Sequence, residues 1–225
     1  MAKKALITGI SGQDGVFLAK ELLRLGYRVT GLTRSVTNAK LSLPEDLASV
    51  NLIETKYSKS DLQKIVKEIG PDEIYHFAAQ PYVGKSWSLI DETLSGTALL
   101  TAHLLETLVS YPHIKFFNAS SSEIFADSTD AVTEDFIKIP TNPYGCAKLF
   151  SFHMVQAYRE NYGLFAVNGI FFNHESERRH SDFFSQKLVS GVLDVYSKKV
   201  DVVKLGNLNV VRDWGSAEEY MSVVP

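Results

Sequence analysis

A tyrosine and a lysine in the segment Asn142–Lys148 have the types and the spacing for proton-transfer chemistry. Tyr144 and Lys148 are four residues apart, and on a helix this spacing places both side chains on one face, one turn apart. Asn142 and Pro143 fit the N-cap and the first position of such a helix. A free tyrosine titrates at about pH 10, whereas a nearby ammonium and a helix N-terminus both favour the phenolate. We therefore expect a lowered pKa for Tyr144; in an arbitrary helix the same pair is a packed tyrosine and a surface lysine.

A carboxylate stands directly after three serines in the segment ASSSEIF, residues 119–125. The serines indicate a hydroxyl catalyst, but hydride transfer by a tyrosine–lysine pair does not need Glu123. Elimination of water from a hydroxy ketone does need such a group. A base must take a hydrogen next to the ketone and an acid must protonate the departing hydroxyl, and one glutamate can do both. The alternative is a loop glutamate that caps a turn.

A glycine-rich loop follows the first predicted strand. The segment GISGQDG spaces Gly9, Gly12 and Gly15 three residues apart, directly before a helical pattern. Glycines permit a tight turn, so that backbone N–H groups and a helix N-terminus can approach a pyrophosphate. A position between a strand and a helix is what a dinucleotide-binding loop requires. We therefore predict a dinucleotide site here, with an ordinary strand–helix turn as the alternative.

The end of the second predicted strand indicates which dinucleotide is bound. A site for NAD places an acidic residue about 20 residues past the glycines, where it holds the ribose 2′-hydroxyl. The segment GLTRSVTNAK, residues 31–40, has no carboxylate but contains Arg34 and Lys40. Because a cation suits a 2′-phosphate, the sequence favours NADP. The alternative is a surface arginine in contact with solvent.

Apolar runs alternate with amphipathic stretches through most of the chain, and parallel strands need a crossover between them. The pattern predicts an α/β fold in residues 1–172, a doubly wound parallel sheet of the dinucleotide-binding Rossmann type. Residues 173–225 are predicted to form a small, incomplete C-terminal substrate domain, with a helix at 181–196 and a strand at 200–206. Strands of the sheet are predicted at residues 3–8, 27–33, 50–55, 73–79, 114–120 and 165–172. Its helices are predicted at residues 13–26, 61–70, 88–109 and 143–162.

The composition excludes several classes of function. A formal net charge of −3 gives no electrostatic reason to expect binding to nucleic acid or to an anionic membrane. No run approaches the roughly 18 apolar residues of a membrane span. The single cysteine, Cys146, excludes an internal disulfide and favours a reducing compartment, so we expect a soluble cytoplasmic protein. The histidines show no pair with metal-ligand spacing, and no metal site is predicted.

The glycine loop, the serines after the fifth strand and the tyrosine–lysine helix together resemble the short-chain dehydrogenase/reductase superfamily, in its extended form that acts on nucleotide sugars. Other stretches closely resemble the GDP-mannose 4,6-dehydratase family, and the resemblance covers residues 3–220. Family members are substantially longer than this chain. The stretches that carry the resemblance are TGISGQDG, PDEIYHFAAQPYVGKSW, ASSSEIF, NPYGCAKL, GIFFNHESERR and LGNLNVVRDWG.

The resemblance implies a role for each site residue. In the superfamily the tyrosine exchanges the substrate hydroxyl proton, the lysine holds the tyrosine and the nicotinamide ribose, and a Ser or Thr binds the same oxygen. Ser121 or Ser122 fits that last role. The implied catalytic residues are Ser121, Glu123, Tyr144 and Lys148. The implied NADP contacts are Gly9, Gly12, Gln13, Asp14, Gly15, Arg34, Ala78, Ala79, Gln80, Lys148, His174 and Arg179. The implied nucleotide-sugar contacts are Ser86, Asn173, Lys187 and Arg212.

The resemblance further implies an NADP-dependent dehydratase acting on GDP-mannose, and a homo-oligomer, dimer or tetramer, paired through the helices near 88–109 and 143–162. Some positions depart from the family pattern, since Ser35 replaces a second arginine and Glu177 and His180 replace proline and glycine. Three other functions stay open. They are a nucleotide-sugar epimerase or reductase, a GDP-heptose dehydratase, and a catalytically silent NADP-binding protein.

Overall fold

The computed structural model describes residues 1–128 and 130–225. Six parallel strands form one sheet in the order β3-β2-β1-β4-β5-β6, and two short strands form a separate parallel pair. The strands of the sheet are β1 (Lys4–Thr8), β2 (Arg28–Thr33), β3 (Asn51–Glu54), β4 (Glu73–His76), β5 (Lys115–Ser121) and β6 (Ala166–Phe171). The separate pair consists of β7 (Asn173–Glu175) and β8 (Trp214–Ser216).

Helices connect these strands and cover the sheet. They are α1 (Gln13–Arg24), α2 (Val36–Ser42), α3 (Lys59–Ile69), α4 (Ile90–Thr93), α5 (Leu100–Leu108), α6 (Pro143–Tyr162), α7 (Phe184–Tyr196) and α8 (Ala217–Ser222). Shorter helical segments are the 3₁₀ turns Glu45–Leu47, Val83–Lys85 and Ser122–Ile124, and a π-helical segment, Leu94–Leu99, that joins α4 to α5.

Side chains of β1 alternate between two hydrophobic cores, one on each face of the sheet. Leu6 packs with apolar residues of α3, α5 and α6, whereas Ala5 and Ile7 pack with those of α1. All three residues are fully buried, because a parallel sheet with helical crossovers is covered on both faces. The doubly wound Rossmann-type sheet predicted from the sequence is confirmed.

The winding of the sheet reverses between β1 and β4, which are neighbours although β2 and β3 lie between them in the chain. The loops that leave these two strands therefore diverge and open a crevice at the carboxyl ends of the strands, where such sheets bind ligands. Gly9 and Ala78 meet at its base, because a Cβ on Gly9 would lie 2.8 Å from the backbone N of Ala78.

The segment between α7 and β8 differs from the sequence prediction. No strand forms at 200–206, and residues 197–213 contain neither helix nor strand. Val202 is 63% exposed, whereas Val203 packs so closely on α7 that a Cβ on Gly191 would lie 2.8 Å from its Cγ1. A strand needs a partner for its backbone N–H and C=O groups, and this segment meets a helix instead.

The C-terminal helix α8 returns to the core of the sheet. Ala217 and Met221 are fully buried in the same hydrophobic core as α1, so the residues after β8 pack against α1. The sequence did not predict α8, α2 or the β7–β8 pair, and the domain division at residue 172 stays a prediction. None of the helices in the described residues is long and apolar enough to span a membrane.

Candidate active site

A cleft of about 1760 Å³ opens at the carboxyl ends of the parallel strands. Its walls are the loops after β1, β2, β4 and β5, the first turns of α1 and α6, and the segment 171–187. Most of the predicted site residues line it. They are Gly9, Gly12, Gln13, Asp14, Gly15, Arg34, Ala78, Ala79, Gln80, Ser121, Glu123, Tyr144, Lys148, Asn173, His174, Arg179 and Lys187.

The glycine loop has the shape that a phosphate cradle requires. Gly9 has a φ of 78°, in the left-handed region that favours glycine. A Cβ on Gly15 would overlap the carbonyl oxygen of Gly9, so only glycine lets α1 pack this closely on the loop. Gly12 caps α1 without a side-chain hydrogen bond, which leaves the first N–H groups of the helix available to an anion. These residues therefore fit the pyrophosphate of a dinucleotide.

Polar side chains join the start of α1 to β7. The imidazole Nε2 of His174 lies 3.0 Å from Asp14 Oδ1, and Gln13 Nε2 donates to Asp14 Oδ1 at 3.1 Å and to the His174 carbonyl at 3.0 Å. Burial opposes the ionisation of both partners, but their hydrogen bond and opposite charges outweigh it. The pKa of Asp14 is therefore lowered and the pKa of His174 is raised. This contact holds β7 against the glycine loop.

The backbone at the end of β5 holds Lys148. Its Nζ donates to the carbonyl oxygen of Ala119 at 2.7 Å, and the residue is only 5% exposed. Burial lowers the pKa of Lys148 to about 8, and the charge of Asp14 acts in the opposite direction. The Nζ atom lies 5.7 Å from the centre of the Tyr144 ring, so the ammonium is above the ring of the predicted acid–base residue.

The phenol of Tyr144 lies at the junction of several charged groups. Burial raises the pKa of Tyr144 to about 12, and the hydrogen bond to Ser121 acts in the opposite direction. The charges of Glu123 and Asp14 raise this pKa further, whereas Arg179 lowers it. The lowered pKa expected from the sequence is therefore wrong for this structure, because the loss of solvation of the phenolate outweighs the favourable contacts.

The carboxylate of Glu123 is fixed at the edge of the cleft. Ser121 Oγ, rather than the glutamate, caps the 3₁₀ turn Ser122–Ile124 and accepts from the backbone N of Glu123 at 3.2 Å. Glu123 Oε2 accepts from Asn142 Nδ2 at 2.7 Å. The side chain is therefore tied to the helix that carries Tyr144, which excludes the alternative of a glutamate that caps its own turn.

A family model described as GDP-mannose 4,6 dehydratase matches residues 6–224 of the chain. The chain belongs to the GDP-mannose 4,6-dehydratase family. A family member, the GDP-mannose 4,6 dehydratase of Cricetulus griseus, is 36% identical over 236 aligned positions, which cover 99% of this chain and 63% of that protein. The GDP-mannose 4,6-dehydratase of Yersinia enterocolitica is 37% identical, with 97% of this chain and 62% of that protein covered. The chain thus spans about three fifths of the length of these family members.

Solved structures of related nucleotide-sugar enzymes share the fold of this member of the dehydratase family. A UDP-glucuronic acid 4-epimerase from Bacillus cereus, in complex with UDP-glucuronic acid and NAD, superposes with a TM-score of 0.82 at 26% identity. The match covers 97% of this chain and 70% of that structure. This likeness agrees with the Rossmann-type sheet described above.

Cationic side chains line the two ends of the cleft. Arg34 is exposed after β2, and close to it the backbone N of Val36 donates to the carboxylate of Glu54 at 3.0 Å. The sequence did not predict a carboxylate at this end. Arg179, beyond β7, lies 3.3 Å from Glu175 and stacks at 3.8 Å over the ring of Phe183. Both arginines are therefore at positions where a dinucleotide or a diphosphate can reach them.

The structure corrects the placement of two predicted substrate contacts. Ser86 is fully buried and donates its hydroxyl to the Val83 carbonyl at 2.6 Å, because it closes a 3₁₀ turn. Arg212 lies in the exposed segment before β8, where its guanidinium donates to the Val211 carbonyl at 2.9 Å. Neither side chain lines the cleft. Within residues 1–128 and 130–225, no cluster of three or more His, Cys, Asp or Glu side chains is arranged to hold a metal ion.

A buried chain of hydrogen bonds, which the sequence did not predict, fixes the ends of β1 and β4. His76 Nε2 lies 3.1 Å from Thr101 Oγ1, whose hydroxyl donates to the Thr97 carbonyl. The imidazole therefore carries its proton on Nε2, and Nδ1 accepts from Thr8 Oγ1 at 2.7 Å. Thr8 Oγ1 accepts in turn from the backbone N of Ala78 at 3.1 Å. Burial lowers the pKa of His76 to about 3, so the ring is neutral.

The sequence did not predict the side-chain contacts at the mouth of the cleft either. Lys85 forms an ion pair with Asp182 at 2.5 Å and lies 4.3 Å above the Tyr82 ring. Tyr82 stacks on Phe183 with ring centres 5.7 Å apart. Lys85 and Asp182 are 97 positions apart in the chain, and no local pattern in the sequence indicates that they meet.

Proposed function

We propose that this chain carries the catalytic centre of an NADP-dependent nucleotide-sugar 4,6-dehydratase that converts GDP-mannose to GDP-4-keto-6-deoxymannose. The observation that carries the proposal is the position of Glu123. Its carboxylate lines the same cleft as Tyr144 and Lys148, and its charge acts on the Tyr144 phenol. A reductase or an epimerase needs no additional acid–base group at this point. Membership of the family supports GDP-mannose as the substrate.

In the first step Tyr144 takes the proton of the C4 hydroxyl, and Ser121 binds the same oxygen. The raised pKa of Tyr144, about 12, keeps the phenol protonated at neutral pH, so nearby positive charge must stabilise the phenolate. We assign part of this charge to Lys148, because its Nζ lies 5.7 Å from the centre of the Tyr144 ring and a pKa of about 8 leaves its ammonium largely protonated near neutrality. The charge of Arg179 acts on the phenol in the same direction. The hydrogen bond from Lys148 Nζ to Ala119 keeps the charge of Lys148 in place.

In the second step Glu123 removes water across C5 and C6. A carboxylate oxygen takes the C5 proton, and the electron pair of that C–H bond forms the C5–C6 double bond. The C6–O bond breaks at the same time, and the departing hydroxyl takes a proton from the Glu123 carboxyl to leave as water. The carboxylate is thereby restored, and the sugar is left with a ketone conjugated to the new double bond.

The glycine loop fits a dinucleotide, as its close packing and uncapped helix terminus show. Gly9, Gly12 and Gly15 would hold that group, and the chemistry it would supply is uptake of the C4 hydride and its return to C6, without net oxidation. The related epimerase structure contains NAD, whereas Arg34, exposed at the cleft, suits the 2′-phosphate of NADP. We assign NADP on that arginine.

The nucleotide-sugar diphosphate lies, in this proposal, against residues 173–187. Lys187 supplies positive charge along this wall of the cleft, and Asn173 supplies an amide. Residues 173–225 therefore serve as part of a substrate domain. GDP supplies the diphosphate that the Lys187 ammonium would neutralise.

The decisive experiment incubates the protein with NADP and a panel of nucleotide sugars, and measures loss of water by mass spectrometry. GDP-mannose is expected to lose one water, without net change in the absorbance of reduced nicotinamide. In the Glu123→Gln variant, C5 deuterium exchange and product formation are expected to fall by about 100-fold. A variant that forms product at the wild-type rate would contradict the role of Glu123.

A nucleotide-sugar 4-epimerase is the second candidate, favoured by the likeness to the Bacillus cereus epimerase. The same incubation separates the two, because epimerisation leaves the mass of the sugar unchanged and gives a second chromatographic peak. Net consumption of NADPH would instead indicate a reductase. Tight binding of NADP without turnover of any sugar in the panel would indicate a catalytically silent protein.

We also propose that the protein pairs with itself through α4–α5 and α6. Large apolar side chains are exposed along these helices, including Ile90 at 47%, Leu94 at 44%, Leu99 at 51% and Phe150 at 45%. Burial of such side chains favours association. Light scattering after size exclusion is expected to give a dimer or tetramer, and Phe150→Glu is expected to shift it towards monomer.

A further inference from the structure

The side chain of Asn142 makes two hydrogen bonds that serve different partners. Its Oδ1 accepts from the backbone N of Gly145 at 2.8 Å and caps α6. Its Nδ2 donates to Glu123 Oε2 at 2.7 Å. The orientation of the amide is fixed chemically, because a backbone N–H only donates and must face the oxygen. The NH₂ group therefore faces the carboxylate.

The bond from Asn142 leaves the two oxygens of Glu123 in different situations. Oε2 is held by the amide, whereas the hydrogen bonds found in the described part of the chain include none to Oε1. The main chain of Glu123 is also held closely against the start of α6, because a Cβ on Gly145 would overlap the Glu123 carbonyl oxygen. The start of α6 thus fixes both the main chain and one carboxylate oxygen of Glu123.

We propose that Asn142 is a positioning residue, which holds one oxygen of Glu123 so that the other is presented to C5 and C6 of the sugar. This inference rests on the proposed dehydratase function. The same helix start carries Tyr144 and Lys148, so one residue sets the distance between the groups for the two steps. An N-cap alone needs only an acceptor, which serine, threonine or aspartate supplies as well; the amide donor is the additional feature.

The Asn142→Asp variant keeps the hydrogen bond that caps α6 and removes the hydrogen bond to Glu123. Aspartate is as good an N-cap as asparagine, but at neutral pH it has no proton to donate and faces the Glu123 carboxylate with like charge. We expect C5 deuterium exchange and water loss to fall by about 100-fold, with KM for GDP-mannose within about twofold. In a single turnover, reduced-nicotinamide absorbance is still expected to appear, since oxidation at C4 does not use Glu123. A matched control is Ser58→Asp, which replaces the N-cap of α3 and should leave both steps unchanged.

Thermal unfolding provides a readout that needs no substrate. Asn142→Asp is expected to lower the melting temperature, and adding Glu123→Gln is expected to restore it, because the new amide can donate to the new carboxylate. A residue that only caps the helix would give additive effects in this cycle. Additivity, or equal loss of C4 oxidation and C5 exchange in Asn142→Asp, would overturn the proposal. If the wild-type protein turned over no nucleotide sugar but the cycle showed coupling, the dehydratase function would fail while the contact between Asn142 and Glu123 would stand.

Discussion

Asp14 and His174 lie 3.0 Å apart across the cleft floor although 160 positions separate them in the chain. One belongs to the first turn of α1 and the other to β7, beyond the last strand of the sheet. Because Asp14 lies within the glycine loop, between Gly12 and Gly15, this pair couples the dinucleotide cradle to the wall proposed to bind the substrate. The charge of Asp14 also raises the pKa of Tyr144 and of Lys148.

The Asp14–His174 pair should make stability depend on pH. The pKa of His174 is raised, so its contribution is fully present below its unfolded value of about 6.5 and is lost as pH rises through the folded value. The pKa of Asp14 is lowered, so its contribution is present above about 3.9 and is lost as pH falls through the folded value. Stabilisation by the pair is therefore greatest between those two unfolded values.

His174→Gln tests this dependence. At pH about 5.5 the variant is expected to be about 1–2 kcal/mol less stable than the wild type, and the difference should shrink as pH rises to about 9. Urea unfolding at several pH values measures it. The exposed His153→Gln variant is the control and should show no such trend. A difference for His174→Gln that grows with pH would contradict the ion pair.

Replacement of Lys148 should stabilise the fold while it abolishes activity. Burial lowers the pKa of Lys148 to about 8, so the unfolded state binds more protons and stability rises with pH up to about 10.4. Lys148→Met removes that cost but also the bond to Ala119, and we expect a net gain of about 2 kcal/mol at pH 7. Chemical unfolding from neutral to alkaline pH should show the gain disappearing. A Lys148→Met variant that is less stable than the wild type at pH 7 would contradict the lowered pKa of Lys148.

The hydroxyl of Thr8 should be essential to the junction of β1 and β4. Thr8→Val leaves Nδ1 of His76 and the backbone N of Ala78 without their partner, and buried unpaired groups cost about 2 kcal/mol in total. Thr8→Ser keeps the hydroxyl and is expected to cost much less. Thr8→Val exchanges only the hydroxyl for a methyl of similar size, so a Thr8→Val variant with the free energy of unfolding of the wild type would show that the network contributes nothing.

Arg34 should decide the preference for NADP. Arg34→Ala is expected to weaken NADP binding by about 10- to 100-fold and to leave NAD binding unchanged, because only NADP has a 2′-phosphate. Calorimetric titration with each dinucleotide measures both. Lys40→Ala is the control, since Lys40 does not line the cleft. Should Arg34→Ala bind both dinucleotides as tightly as the wild type, the assignment of NADP would lose its support.

The architecture was predictable because the buried strands carry their own signal. Apolar runs such as residues 4–8, closed by glycine, indicate a fully buried parallel strand whatever surrounds them. Residues 200–206 show the limit of the same rule. Their apolar pattern equally suits a strand, but Val203 packs on α7, and no strand edge is offered to the backbone. The partner of a strand is a property of the tertiary structure and not of the segment.

The candidate site was predictable in its residue types but not in its electrostatics. The spacing of Tyr144 and Lys148 correctly put the phenol and ammonium one helical turn apart. It did not indicate that burial would dominate and raise the pKa of Tyr144. The hydrogen bond from Asn142 to Glu123 was not predictable either, because the N-cap pattern already accounts for an asparagine at this position.

The β7–β8 pair has a consequence for how this enzyme family can change. Asn173–Glu175 pairs in parallel with Trp214–Ser216. The segment from Ser176 to Asp213 therefore leaves this strand pair and returns to it. β7 contacts α1 through the bond between His174 and Asp14, and α8, which follows β8 directly, packs on α1 through buried Met221. Doubling the length of a loop closed in this way costs only about 0.6 kcal/mol in loop-closure entropy. The stretch can therefore change in length and sequence at little cost in free energy, and under the proposed function such changes would alter the wall that binds the substrate without displacing Tyr144 or Lys148.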